Sequence, residues 1–243
     1  MPRYFLELGY KGTAYHGFQV QDNAPTVQLA VQQALNILYK EPIQLTGSSR
    51  TDAGVHALQN FFHFDSDLAI KEEHTYNLNA ILPADIYISS LKAVLPTSHC
   101  RFDAIGREYH YYIYTTKDPF MQDRGWYYPF ELDINLLNEV AANIKVHTDF
   151  TSFSKRNTQS FTNNCSIETS YWEQVEPNQL KYTVKSNRFL RGMVRGLVGT
   201  MVKLVRSNKG VDSFIDIINV KDCTKADFST PPQGLFLARV IFP

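Results

Sequence analysis

Apolar runs of strand length alternate with helical patterns along this chain, and their order constrains the fold more than any other feature. The first half reads as a strand over Arg3–Tyr10, a helix over Val27–Tyr39, two short strands, and a strand over Ile86–Val94. The second half has a related rhythm, with these predicted elements: a strand over Arg107–Thr116, a helix over Asp133–Val146, paired strands over Ile167–Glu176 and Gln179–Ser186, a helix over Phe189–Val205 and a strand over Leu235–Phe242.

This order predicts an α+β fold. We expect two related domains, an N-terminal one over residues 1–104 and a C-terminal one over residues 105–243. Together they would share a mixed, mainly antiparallel sheet with helices packed on one face.

The connection from Gly47 to Ala57 has unusual chemistry. It reads Gly-Ser-Ser-Arg-Thr-Asp-Ala-Gly-Val-His-Ala, and it joins the two short predicted strands, Pro42–Leu45 and Leu58–Phe64. A plain turn is one interpretation, because Asp52 can bond to its own backbone and Gly54 can supply a positive φ. The full string is far less generic than Asp-x-Gly, and this favours a catalytic loop.

Composition limits the possible classes. With 44% hydrophobic and 20% charged residues, the chain is an ordinary globular protein and neither disordered nor fibrous. It has no apolar run of about eighteen residues, and Glu7 falls where a signal peptide needs its apolar stretch, so we expect a cytoplasmic protein. Cys100, Cys165 and Cys223 form no Cys-x-x-Cys, which argues against a disulfide framework or a zinc ribbon.

Charge is balanced in total but not along the chain. The 24 basic and 24 acidic residues give a formal net charge of zero. Between Lys181 and Lys209, however, basic residues occur without a single Asp or Glu, which is typical of a surface that binds a phosphate backbone. Arg191 and Lys203 are our candidates for contacts to such a backbone in this segment. A solvated face of an ordinary amphipathic helix is the alternative.

Four motifs in order resemble the tRNA pseudouridine synthase A family. They are the Gly47–Ala57 string, the opening segment Tyr10–Gln19, the middle segment Arg101–Tyr111 and the basic segment Asn187–Arg195. Three positions depart from the family pattern, which more often has Asp at Lys11, Trp at Phe18, and Gly or Ala at Ser49.

The resemblance implies a fold, a reaction and roles for particular residues. It implies the pseudouridine synthase fold and conversion of uridine to pseudouridine in the anticodon stem-loop of tRNA, at positions 38–40, by a homodimer without cofactor or metal. Asp52 would be the catalytic nucleophile, Tyr109 an aromatic contact to the target base, and Arg195 the electrostatic partner of Asp52. Independently of the resemblance, Arg50 lies two residues before Asp52, where its charge would keep the carboxylate ionised or hold an RNA phosphate beside it; a solvated loop arginine is the alternative.

Other interpretations remain for these residues. The alternation Arg107, Tyr109, Tyr111, Ile113 would be a core stripe if the motif were ignored, and His56 is expected to brace its own loop. A catalytically silent tRNA-binding protein or RNA chaperone is the alternative function. A glycosidase-type hydrolase would need a second positioned acid, and the sequence offers no phosphate-binding glycine loop, zinc motif or nucleophile elbow.

Overall fold

The computed structural model describes residues 1–156 and 161–243. In this part of the chain, strands and helices follow in the order β1 Arg3–Tyr10, α1 Val27–Tyr39, β2 Thr46–Gly47, β3 His56–Asp65, α2 His74–Ile81, β4 Ile86–Val94, β5 Gly106–Tyr114, β6 Trp126–Tyr127, α3 Ile134–Ile144, β7 Ile167–Glu176, β8 Gln179–Ser186, α4 Met193–Arg206, α5 Val211–Asn219 and β9 Leu235–Ile241. Most of the pairs between these strands are antiparallel, whereas β3–β9 and β5–β6 are parallel. The predicted α+β class, with mixed and mainly antiparallel strands, is confirmed.

The chain forms two compact units. Unit 1 consists of Met1–Ile105 and Phe236–Pro243, and unit 2 consists of Gly106–Leu235. The segment 105–243, expected as the second domain, therefore ends in residues that pack with the first unit. No helix in the described residues is both long and apolar enough to cross a membrane.

In unit 1, β1 lies between β4 and β3, antiparallel to both. The side chain of Leu6 is fully buried between Phe62 and Leu91, its partners on the two neighbouring strands. At the other edge of β3, β9 pairs in parallel through His56 and Phe236. The last strand thus returns beside the start of β3, at the end of the Asp52 connection.

Helix α1 has the predicted bounds because both of its ends are specified locally. The hydroxyl of Thr26 accepts from Leu29 N at 3.3 Å and caps the start. Lys40 adopts a left-handed conformation at φ 60° and ends the helix.

In unit 2, β8 lies between β5 and β7 in an antiparallel arrangement. Pro177 and Asn178 form the predicted two-residue connection between β7 and β8. Helix α3 is joined to β7 by the Asn138 side chain, which donates to Trp172 O and accepts from Trp172 N. The apolar side predicted for α4 is buried, namely Val194, Leu197, Val198, Met201 and Val205.

One predicted strand was wrong, and one predicted helix begins later than expected. Pro42–Leu45 is not a strand, because side chains of α1 satisfy its backbone groups: Gln28 donates to Leu45 O, and Gln32 donates to Ile43 O. The late helix begins at Met193 and not at Phe189, because Gly192 takes a left-handed conformation immediately before it. Arg191 therefore precedes the helix. Helices α2 and α5 were not predicted.

Candidate active site

Asp52 lies on a tight turn between β2 and β3. Val55 N donates to Asp52 O at 3.2 Å, and Gly54 adopts φ 76° in this turn. Glycine suits this position because other residues avoid the left-handed region. The backbone therefore forms the turn that the sequence predicts at Asp52 and Gly54. The Asp52 side chain extends from this short connection.

The opening motif wraps the Asp52 turn. Phe18 N donates to Thr51 O at 3.1 Å, and Gly54 N donates to Tyr15 O at 3.3 Å. A Cβ added at Gly17 would lie 3.1 Å from Thr51 O, and Gly17 also has φ 104°. Two motifs that are separate in sequence thus form one substructure, in which a glycine permits close backbone approach.

A buried hydrogen-bond network holds the residues just before Asp52. The hydroxyl of Tyr10 lies 2.8 Å from Thr51 Oγ1. Asn60 Nδ2 donates to Ser49 O at 2.8 Å and reaches the Tyr10 hydroxyl at 3.3 Å. Asn60 is fully buried, and its Oδ1 accepts from Phe61 N. Strands β1 and β3 therefore fix the backbone on the amino-terminal side of Asp52.

Arg50 and Asp52 both have solvent access, although no strand includes them. Arg50 is exposed and Asp52 is half-buried, whereas Thr51 between them is 8% exposed. The exposure alternates as it would along a strand, but it comes from the anchoring of Thr51 and not from strand geometry. Among the described residues, neither the Asp52 carboxylate nor the Arg50 guanidinium has a hydrogen-bond or ion-pair partner.

His56 and Phe18 brace this substructure. His56 Nδ1 accepts from Gly12 N at 3.0 Å, and its buried ring lies 4.5 Å from that of Phe236. Phe18 stacks on Phe62 with centroids 4.6 Å apart, and a Cβ at Gly47 would come within 2.3 Å of the Phe18 ring. The departure at Phe18 thus falls in the core of unit 1.

In unit 2, Tyr109 lies on the more accessible half of its stripe. Tyr111 and Ile113 are fully buried, whereas Tyr109 and Arg107 are half-buried. The Tyr109 ring meets Phe189 edge to face, with centroids 5.0 Å apart. The core interpretation therefore holds for Tyr111 and Ile113, and Tyr109 keeps exposed aromatic surface.

Arg195 is held by the segment that follows α5. Its Nε donates to Thr230 O at 2.8 Å, and the Thr230 hydroxyl donates to Arg195 O at 3.1 Å. Thr230 is fully buried, so this reciprocal pair fixes the guanidinium on the first turn of α4. The Tyr111 hydroxyl donates to Pro231 O at 2.8 Å and anchors the same segment.

The basic segment is less positive in space than along the chain. Lys181 pairs with Glu173 at 2.6 Å, and Lys185 pairs with Glu168 at 2.8 Å. In the described residues, Arg191 and Lys203 have no carboxylate within 4.0 Å, and both are exposed. Arg206 stacks on Phe130 with its Cζ 3.4 Å from the ring centroid.

Sequence reasoning missed the anchoring residues around Asp52. Asn60 had a readable signal, because it is a polar residue within an apolar strand, directly before Phe61 and Phe62. Phe189 was predicted only as the start of the late helix and not as a neighbour of Tyr109. The described residues hold no group of three or more His, Cys, Asp or Glu arranged for a metal ion.

Comparison with known proteins agrees with the four motifs. A family model described as tRNA pseudouridine synthase matches residues 147–243. A protein of Parabacteroides distasonis named tRNA pseudouridine synthase A is 42% identical, with 100% of this chain and 97% of the relative covered. A protein of the same name from Porphyromonas gingivalis is 40% identical, with 100% of this chain and 98% of the relative covered. Another from Staphylococcus aureus is 32% identical, with 98% of this chain and 91% of the relative covered. The chain therefore belongs to the tRNA pseudouridine synthase A family.

Proposed function

We propose that this protein is an isomerase that converts uridine to pseudouridine in tRNA. The full-length similarity to relatives named tRNA pseudouridine synthase A supports the reaction and the substrate. The observation that carries the proposal within the molecule is Asp52, a solvent-accessible carboxylate on a turn whose neighbours are anchored to two strands. Uridines 38–40 of the anticodon stem-loop are the proposed targets.

The chemistry needs a carboxylate and no redox partner. The bond between N1 of uracil and C1′ of ribose breaks, the ring turns, and a bond forms between C5 and C1′. C5 loses a proton and N1 gains one, so the product is an isomer of the substrate. Asp52 acts as the nucleophile: its carboxylate forms a transient bond to the nucleotide, and this bond breaks again before the product is released. The reaction proceeds without cofactor or metal.

The other residues bind and orient the RNA in this proposal. Tyr109 contacts the target base, and stacking on an aromatic ring is worth about 1–3 kcal/mol per base, enough to offset much of the cost of extracting it. Arg50 and Arg195 provide positive charge toward the substrate and toward Asp52. Arg191 and Lys203 contact the RNA backbone; their exposure without a carboxylate partner in the described residues supports this role.

One assay tests the proposed function. The purified protein is incubated with an unmodified tRNA transcript without additives, and pseudouridine is mapped along the product. We expect conversion at one or more of positions 38–40. Tight tRNA binding without any conversion would favour the silent binding protein, and release of free uracil would favour a hydrolase.

We propose further that the protein works as a cytoplasmic homodimer. A neutral chain gains a continuous positive groove if two copies join their basic surfaces around one tRNA. Sedimentation equilibrium should then give twice the chain mass of 27.9 kDa. A single 27.9 kDa species, at concentrations where the enzyme turns over, would contradict the dimer.

A further inference from the structure

We propose that Tyr10, held in place by Asn60, is a positioning residue for Asp52 that acts through Thr51. This inference rests on the proposed function, because it assigns a catalytic consequence to a buried hydrogen-bond network in unit 1. The network joins β1 and β3 to the chain just ahead of the carboxylate.

Asn60 is the centre of this network. Its side chain is fully buried, and it uses Nδ2 toward Ser49 O and the Tyr10 hydroxyl and Oδ1 toward Phe61 N. A buried amide that is satisfied in this way is costly to disturb, because each lost bond leaves a desolvated polar atom. The carbonyl of Ser49 is therefore fixed relative to β3.

Tyr10 connects Asn60 to Thr51, the residue directly before Asp52. Its oxygen accepts from Asn60 Nδ2 at 3.3 Å, and its hydroxyl forms a hydrogen bond with Thr51 Oγ1 at 2.8 Å. The ring of Tyr10 is itself held, 4% exposed and stacked 5.9 Å from Phe18. Thr51 is thus bonded through its side chain to Tyr10 and through its carbonyl to Phe18 N.

In the part of the chain that the structure describes, few other interactions fix the Asp52 side chain, so its placement for catalysis depends on this network. Among the described residues, no side chain bonds to its carboxylate, so its position depends on the backbone of the turn. Misplacing a reacting group by about 1 Å can cost about a hundredfold in rate. Loss of the bond between Tyr10 and Thr51 should therefore lower the chemical rate and leave tRNA binding intact.

Three substitutions test the network by single-turnover kinetics at saturating tRNA. Tyr10→Phe and Thr51→Val each remove one hydroxyl while keeping the shape of the side chain, and each should lower the rate at least tenfold, with the Kd for tRNA unchanged within twofold. Thr51→Ser keeps the hydroxyl and should retain most of the rate. Because either substitution removes the bond between the two hydroxyls, the double variant Tyr10→Phe/Thr51→Val should be little slower than the slower of the two single variants.

A matched control separates positioning from simple loss of stability. Tyr182 is a fully buried tyrosine of unit 2 whose hydroxyl lies 2.8 Å from Ser170 Oγ. Tyr182→Phe should lower the free energy of unfolding by an amount similar to Tyr10→Phe, but leave the rate unchanged. Equal rates for Tyr10→Phe, Thr51→Val and the unmodified protein would overturn the inference, as would multiplicative losses in the double variant.

The outcomes also distinguish this inference from the proposed function. If the unmodified protein forms no pseudouridine in tRNA, the proposed function is wrong and the inference falls with it. If the unmodified protein is active and Tyr10→Phe and Thr51→Val are equally active, the function stands and only the positioning role is wrong. Should Tyr10→Phe fail to fold, Thr51→Val and Thr51→Ser alone decide the question.

Discussion

At the scale of single residues, the Asp52 turn has two properties that a catalytic carboxylate needs. The side chain is accessible, and the residues before it are held by buried polar groups, chiefly Asn60. Sequence alone predicts Asp52 as the catalytic residue, because the charged turn lies within a longer motif. It could not reveal the role of Asn60, since that depends on the fold bringing Ser49 O within 2.8 Å of its amide.

Asp52→Asn should abolish turnover while tRNA affinity stays within severalfold. The amide keeps the shape of the side chain but removes the negative charge that the nucleophile requires. Pseudouridine formation and tRNA affinity are measured together, with Asp67→Asn, an exposed position of unit 1, as the control that keeps full activity. Turnover near that of the unmodified protein would show that Asp52 is not the catalytic residue.

At the scale of elements, sequence predicted best where local signals are complete. Helix α1 has a capping threonine and a left-handed terminating residue, and its bounds were predicted correctly. The β7–β8 hairpin was also correct, because its turn is local. The parallel pairing of β3 with β9 joins His56 to Phe236 and has no local signal. Likewise, Pro42–Leu45 has the alternation of a strand, yet side chains of α1 replace the strand partner.

Helix α4 combines two proposed functions, which substitutions should separate. Lys203→Ala should weaken binding of all tRNAs and lower the slope of log K against log salt by about one unit, if one phosphate contact is lost. Its single-turnover rate at saturation should hardly change. Arg195→Ala should instead lose little affinity and much of the rate, because its proposed partner is the catalytic carboxylate.

A matched lysine on β8 controls for general charge effects. Lys185 is already paired with Glu168 at 2.8 Å, so Lys185→Ala should change the salt slope less than Lys203→Ala does. Affinity measured over a range of salt concentrations, together with single-turnover rates, gives a profile for each variant. Identical profiles for Lys203→Ala and Arg195→Ala would mean that these two residues of α4 do not have separate roles in tRNA binding and in catalysis.

At the scale of the whole molecule, equal numbers of acidic and basic residues conceal an uneven distribution. Much of the basic segment on β8 is neutralised by glutamates of β7, so positive charge remains mainly around Arg191 and on exposed parts of α4. The net charge of zero is therefore a poor guide to where tRNA binds. The pairing of strands decides which charges remain available to a partner.

EDTA should leave the chemical step unchanged when salt maintains the tRNA fold. The proposed reaction uses a carboxylate and no Lewis acid, and single-turnover rates with and without chelator measure this directly. The control is a tRNA whose fold is checked under both conditions. Loss of activity that only zinc restores would reveal a metal requirement.

The stability of the fold should decrease as the pH falls from about 6.5 to about 4, and His63 should be a main cause. Burial, helped by the neighbouring His99 and Arg3, lowers the pKa of His63 to about 4, against the partial opposition of Asp65 and Asp103. Its Nδ1 lies 3.1 Å from Cys100 Sγ and 3.4 Å from Cys100 N, an environment that suits an unprotonated nitrogen. Below about pH 6.5 the imidazole is protonated in the unfolded chain but stays neutral in the folded chain until about pH 4. The free energy of unfolding must therefore fall as the pH decreases between these two values.

Replacing His63 tests this assignment, because the titration disappears with the imidazole. His63→Asn keeps an acceptor near Cys100 and should flatten the decrease between pH 6.5 and 4 by an amount on the order of 2 kcal/mol. Burial also lowers the pKa of His110, which should account for part of the remaining slope. Urea unfolding at several pH values gives these free energies, with His16→Asn as an exposed control. If the variant keeps the full slope, protonation of His63 does not limit stability in acid. The burial of its ring beside Cys100 would then not affect how the free energy of unfolding depends on pH.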